Sequence, residues 1–239
     1  WSCESPSLRC CGGPPVWRWS TTSPRAGRPW RQRQRKPVQD DQRGYALELV
    51  AFLRKSLPRP PKTVLDVGGS TGVVASAVSE AFGSKATVLD PAPAELDVAA
   101  AAGIETIAGF AEDFEPQGRN WDLVLLCQTI DHLLDVSETL SSLAGMVAPD
   151  GHAFVDILDF LLIAQREGSV EGAVKIDHPY YLTAATARAY FDRAGLEATL
   201  ARHEVRDPGR DRERARQHPR DRRAGLAVGV VEPVADGLL

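Results

Sequence analysis

The 239-residue sequence predicts an α/β fold, a doubly wound and mostly parallel sheet of seven strands with helices on both faces. Three observations carry it. Short apolar runs bounded by turn residues alternate with segments of helical period. A glycine turn joins the first of those strands to a helix, and the chain is long enough to bury a core without covalent staples. Four unevenly spaced cysteines, Cys3, Cys10, Cys11 and Cys127, do not form the framework of a small secreted domain. No run approaches the roughly 18 apolar residues of a membrane span, and no signal-peptide core follows the first residue. A cytoplasmic protein without a membrane partner is expected.

Each element has a local cause. Residues 40–57 place Ala46, Leu49, Val50, Leu53 and Leu57 at helical spacing, and Pro58, Pro60 and Pro61 stop that helix. Strands are expected at 63–67, 86–89, 104–107, 121–127 and 152–158, with helices at 72–82, 93–102 and 135–147 between them. In the last of these helices Val136, Leu140, Leu143 and Val147 share a face, and Asp135 with Glu138 fits a capping box. A further helix fits 183–194, with Thr183 as its cap and Gly195 as its terminator. Residues 197–201 and 226–231 supply the two remaining strands. Alternation at this pitch means βαβ units and right-handed crossovers.

The net charge of −4 conceals an asymmetry. Residues 1–36 carry eight Lys/Arg against one acid, and residues 202–223 carry nine arginines against five acids. The stretch between, 37–201, holds 11 basic and 24 acidic residues. Neither basic piece has a period of 2 or 3.6. Residues 1–36 are therefore read as an irregular tail, disordered or non-native, and 37–239 as one domain with an Arg-rich irregular insert at about 202–223. Basic arms can bind phosphates, but without interleaved aromatics these do not point to a nucleic-acid partner.

The sharpest motif is VLDVGGSTG, Val64 to Gly72, between strand and helix. Gly68 and Gly69 let the backbone turn tightly and approach a ligand, and Gly72 opens a helix whose amides favour a negative group. Strand two then ends in Asp90, placed to accept hydrogen bonds from a ribose. This describes a nucleoside crevice. A Walker A loop is excluded because no Lys-Ser/Thr follows Gly72, and G-x-G-x-x-G is not matched. Asp66 brings a carboxylate that would repel a pyrophosphate yet suit an ammonium or sulfonium.

In these residues the chain resembles the class I S-adenosylmethionine-dependent methyltransferases of small bacterial type, over about 60–200. Asp66, Gly68 and Gly72 match the family's first motif, with Ser70 where a middle glycine is usual, and Asp90 matches its ribose-binding acid. GFAEDFE, Gly109 to Glu115, resembles the adenine-contacting motif, with Phe110 where an Asp is common; Phe110 is then expected to cover the adenine face while the backbone at Ala111 and Glu112 reads its edge. WDLVLLCQTIDHLLD, Trp121 to Asp135, resembles the fourth motif, beside the methyl donor. The resemblance implies a Rossmann-like fold, S-adenosyl-L-methionine as cofactor, and a donor site of Asp66, Gly68, Gly69, Ser70, Gly72, Asp90, Pro91, Phe110, Ala111, Glu112 and Gln128. His178 to Glu197 looks like a segment of methyltransferases acting on sugars or polysaccharide precursors.

Methyl transfer to a hydroxyl benefits from a general base. His132 and Asp131 follow strand four at the edge where ligands bind, although a His there can equally satisfy backbone groups. His178, Tyr180 and Tyr181 form a second cluster, with Pro179 holding His178 extended; the tyrosines frame an acceptor or seal the sheet edge. The catalytic candidates are His132, His178, Asp131 and Tyr181, with His132 first as base and His178 second. No metal is expected: Asp156 and Asp159 have no neighbouring ligand pattern, and Cys127 reads as a small core residue. The leading expectation is a methyltransferase for a small-molecule acceptor. The alternative is a nucleotide-binding module, either an NAD-type oxidoreductase or a catalytically silent regulator.

Overall fold

Apolar period and turn chemistry place most elements as expected. The computed structural model describes residues 36–175, 178–204 and 225–233. Its elements are α1 (Lys36–Ser56), β1 (Thr63–Val67), α2 (Val73–Phe82), β2 (Lys85–Asp90), α3 (Pro93–Ala101), β3 (Glu105–Ala108), β4 (Trp121–Leu126), α4 (Val136–Met146), β5 (Val147–Ile157), α5 (Phe160–Glu167), α6 (Val170–Ala173), α7 (Ala184–Arg193), β6 (Leu196–Glu204) and β7 (Gly225–Pro233). The tail at 1–35 and the bulk of the Arg-rich stretch, 205–224, lie outside the described residues.

The seven strands form one sheet in the order β3-β2-β1-β4-β5-β7-β6. Strands β1 to β5 pair in parallel, and β7 runs antiparallel to both β5 and β6. The chain winds outward from β1 first to β2 and β3, then to β4 and β5. The order therefore reverses beside β1, which opens a crevice at the carboxyl ends of the strands.

Side-chain alternation assigns each face its layer. Leu65, Val67, Val124, Leu126, Val155 and Ile157 pack beneath α4 and α7 with Leu140, Leu143 and Phe191. The other face, with Val64, Val88, Leu123, Leu125 and Phe154, packs beneath α1 and α2 with Leu49, Leu53 and Val78. Caps hold the helix starts: Asp135 accepts from the Glu138 amide at 2.8 Å, and Thr183 and Thr186 form a reciprocal capping box.

Three departures from the sequence reading have physical causes. Strand β6 continues through Glu204, so residues 202–204 are strand rather than irregular insert; pairing with β7 from Arg202↔Ala227 to Glu204↔Gly225 supplies backbone partners that local sequence does not advertise. Helices α5 and α6 occupy a stretch left without structure, capped by Asp159 and Ser169, whose side chains accept from Leu161 and Gly172 amides. Strand β5 starts directly after α4, and between the pairs Trp121↔Val147 and Leu123↔His152 it carries surplus residues, Ala148 to Gly151, as a bulge. A Cβ on Gly151 would lie 2.9 Å from the Trp121 carbonyl oxygen, so the bulge closes only around glycine.

Helix α1 is fastened mainly through Leu53, which is fully buried against the sheet. Leu53→Ala should lower stability by about 2–5 kcal/mol, as for other buried leucines, and a thermal melt should show a correspondingly lower Tm.

Candidate active site

The crevice beside β1 is built by backbone more than by side chains. After Val67 the chain reverses through Gly68, with φ of +73°, and enters α2 through Gly72, at φ +74°. A Cβ on Gly68 would sit 2.6 Å from the Thr129 side chain, and one on Gly72 would sit 3.1 Å from that of Ala99. Only glycine fits both. Ser70 also takes a left-handed φ of +50°; its amide donates to Asp90 Oδ2 at 2.9 Å and its hydroxyl to Glu95 Oε2 at 3.2 Å.

Asp90 ends β2 with its other oxygen, Oδ1, accepting from the Ala92 amide at 2.8 Å. Each oxygen retains a second acceptor lone pair. The expected ribose acid is thus fixed in place by two turns at once. Pro91 beside it is exposed, and Phe110 is exposed at the carboxyl end of β3, where a flat ligand can be covered. Ala111 is buried, and the Glu112 carboxylate accepts from the Leu134 amide at 2.8 Å, tying the β3 loop to the loop after β4.

Asp66 lies under the turn. It is 1% exposed, and neither oxygen has a hydrogen-bond partner of good geometry. Burial pushes its carboxyl up to about 7; the nearby Ala75 amide offsets part of that, and the Asp90 charge adds to it. A Cβ on Gly69 would come within 2.7 Å of that carboxyl group.

Past β4, Gln128 takes a φ of +53°, and a 3₁₀ turn over Ile130–His132 presents the next group. His132 therefore closes a short turn. Asp131 Oδ2 meets His178 Nδ1 at 2.8 Å with both side chains 8% exposed, and the His132 ring stands edge-on to that of His178 at 4.5 Å. Two sequence-distant clusters thus become one. Ligand atoms of Asp131, His132 and His178 also fall within 4.8 Å of one another, with Asp131 and His178 in direct hydrogen-bond contact. The Tyr180 hydroxyl donates to the Leu134 carbonyl at 2.8 Å. Both Lys175 backbone groups engage the Tyr181 hydroxyl, which makes it a strap for its own loop. Asp131, His178, Tyr180 and Tyr181 line one small cavity with Phe160 and Ile163.

Comparisons with known proteins identify the family and the fold. A family model described as a methyltransferase domain matches residues 31–201. The chain belongs to that family. Its fold is that of a class I S-adenosylmethionine-dependent methyltransferase, as the glycine turn and Asp90 imply. Among curated relatives, a ubiquinone biosynthesis O-methyltransferase of Methylobacterium sp. (strain 4-46) is 31% identical over 100 residues, 38% of this chain and 39% of that protein. The protein of the same name from Azorhizobium caulinodans is 27% identical over 159 residues, 61% of this chain and 62% of that one. The matches span less than two thirds of those relatives' length. Among solved structures, the plantazolicin methyltransferase BamL, in complex with a desmethylPZN analogue and S-adenosylhomocysteine, overlays with a TM-score of 0.61 at 16% identity, covering 84% of this chain and 88% of its own. An S-adenosylmethionine-dependent methyltransferase from Clostridium acetobutylicum overlays with a TM-score of 0.61 at 10% identity, covering 84% and 96%. A likeness at such identity establishes the shared fold.

The sequence reading of this family member missed Tyr45 and set Asp156 aside. The Tyr45 hydroxyl donates to Asp156 Oδ2 at 2.9 Å across 111 residues of chain. Asp156 is 1% exposed, and burial pushes its carboxyl up to about 7; the Tyr45 hydrogen bond lowers it and the Asp131 charge raises it. One signal was available, a lone acid within the apolar run 152–158. Asp159, by contrast, is structural: it caps α5 and accepts from the Ala184 amide at 3.3 Å.

A carboxyl whose folded pKa lies above its unfolded value favours the folded state most at low pH, and that contribution is lost as pH rises through about 7. Asp66→Asn removes the cost of ionising the buried group. The variant should melt higher than the parent at pH 8, by up to a few kcal/mol in stability, with the gap narrowing toward pH 5.5 in parallel thermal melts.

Proposed function

We propose that the protein is an S-adenosylmethionine-dependent O-methyltransferase whose acceptor is a small hydroxylated molecule with a flat or apolar body. The observation that carries this reading is the Asp131–His178 pair on a cavity walled by Phe160, Ile163, Tyr180 and Tyr181. The named relatives, O-methyltransferases of ubiquinone biosynthesis, support a hydroxyl as the methylated group. They lend nothing to the sugar acceptor expected from the His178–Glu197 segment.

The donor supplies a methyl group already activated on a sulfonium. Gly68, Gly69, Ser70 and Gly72 would offer backbone at close range, Asp90 would receive the ribose hydroxyls, and Phe110 would cover the adenine, with Ala111, Glu112, Pro91 and Gln128 around it. On the acceptor side, Asp131 holds the Nδ1 proton of His178 and so fixes the tautomer in which Nε2 is the basic nitrogen. His178 then takes the hydroxyl proton as the oxygen attacks, and Asp131 stabilises the imidazolium that forms. The pairing favours His178 for the role first expected of His132, whose ring packs on His178 and limits its rotation. Phe160 and Tyr181 pack on each other beside this pair, with ring centroids 5.0 Å apart, and give that wall an aromatic surface.

Asp90→Ala should weaken S-adenosylhomocysteine binding by about 1.5–3 kcal/mol in calorimetry, the worth of hydrogen bonds to a charged group. Unchanged affinity would remove Asp90 from the donor site, and tighter binding of NAD would favour the oxidoreductase reading. In a donor-dependent screen of phenolic and sugar hydroxyls, His178→Ala should cut kcat by about 10²–10⁴-fold with donor affinity intact. A comparable loss in His132→Ala alone would restore the base role to His132.

A further inference from the structure

We infer that Asp156, held by Tyr45, seats the α-ammonium of the donor's amino-acid tail and so extends the donor site from β2 across to β5; the inference rests on the methyltransferase reading above. Asp66, Leu125 and Phe154 are level across β1, β4 and β5, on the face of the sheet that α1 covers. Two residues further along their strands, Cys127 and Asp156 stand on the same face at the carboxyl edge, where Tyr45 descends from α1. The crevice therefore has a floor running from the turn after β1 to the end of β5.

Two acids with unpartnered oxygens lie on that floor, Asp66 and Asp156, and Asp156 is the better placed to use one. Oδ2 receives the Tyr45 hydroxyl, and Oδ1 is buried with no hydrogen-bond partner. A carboxylate left in that condition is costly unless a cation reaches it. Asp66 is less available, because the Gly69 backbone lies over its carboxyl group. Cys127 stays a neutral thiol: burial first, then the charge of Asp66, pushes it up. It separates the two acids without adding charge of its own.

The spacing agrees. From Asp90 on β2 to Asp156 on β5 is three strand intervals, roughly 14 Å. Eight bonds join a ribose hydroxyl oxygen to the α-nitrogen of the donor, about 10 Å when extended, and a hydrogen bond of about 2.8 Å at each end closes the distance. One molecule could thus be held by Asp90 at the ribose and by Asp156 at the ammonium.

Calorimetry on the full chain tests this with S-adenosylhomocysteine, its analogue lacking the α-amino group, and 5′-methylthioadenosine. The parent protein should bind S-adenosylhomocysteine about 10–100-fold more tightly than the deamino analogue, the range for a charge-assisted hydrogen bond. Asp156→Asn should bring the two within about twofold by weakening S-adenosylhomocysteine alone, leaving 5′-methylthioadenosine unchanged. Tyr45→Phe should narrow the ratio by at least about threefold, since it loosens the carboxylate without removing it. A parent that treats the two ligands alike, or an Asp156→Asn variant that keeps the full ratio or weakens all three ligands equally, overturns the inference and makes Asp156 structural. Should Asp156→Asn fail to fold, an unchanged ratio in Tyr45→Phe overturns it. If the parent binds none of the three, the methyltransferase reading falls as well; failure confined to the ratio leaves that reading standing.

Discussion

The Asp90 carboxylate is the joint on which the crevice beside β1 depends. One oxygen holds the Ser70 amide of the turn after β1, and the other holds the Ala92 amide at the start of α3. Two loops that leave adjacent strands are thereby set at a fixed separation. Because Ser70 is held in a left-handed conformation, the bond from Asp90 also offsets part of the backbone cost of the turn. The Gly68 amide, bonded to the Leu89 carbonyl at 2.7 Å, adds a second tie between the same strands one residue earlier. The ribose contact proposed for Asp90 and the closure of the turn thus draw on the same few atoms.

Much of this was legible in the sequence, and for definite reasons. Runs such as 63–67 and 121–126 are buried on both faces, so they read as nearly continuous apolar segments bounded by turns. The glycine turn is legible because no other residue tolerates the approach of Thr129 to Gly68. The meeting of Asp131 with His178 was not legible. It depends on the placement of the α5–α6 segment, whose helices are fastened by Asp159 and Ser169 caps and whose long apolar side chains Leu161 and Val170 remain exposed. Helix α5 buries no side chain and α6 is a single turn, so neither is marked out as part of the core. Tyr45 was hidden for a related reason: its partner lies five strands later in the chain and no local pattern couples them.

Helix α1 carries two obligations along one face. Leu49, Val50 and Leu53 close the apolar core over β1 and β4, while Tyr45, one to two turns earlier, meets the acid at the end of β5. Phe52 reinforces the link by meeting Phe154 edge-on at 5.7 Å. The helix is thus rigidly seated toward its C-terminal half and polar in its dealings toward the crevice. Packing and site chemistry are separated by about one helical turn.

The bulge at Ala148–Gly151 has a bearing on how this chain can change over evolutionary time. Upstream of it, β5 is paired at Val147 with Trp121; downstream, pairing resumes at His152 and runs without interruption to Val155. A residue gained or lost among Ala148, Pro149 and Asp150 can be taken up locally, because the ladder on either side is anchored independently. The same event one step later, between His152 and Asp156, would invert every side chain beyond it and carry Asp156 through the sheet to the opposite layer. The bulge acts as an expansion joint, and it marks where the lineage is free to vary in length without moving a chemical group.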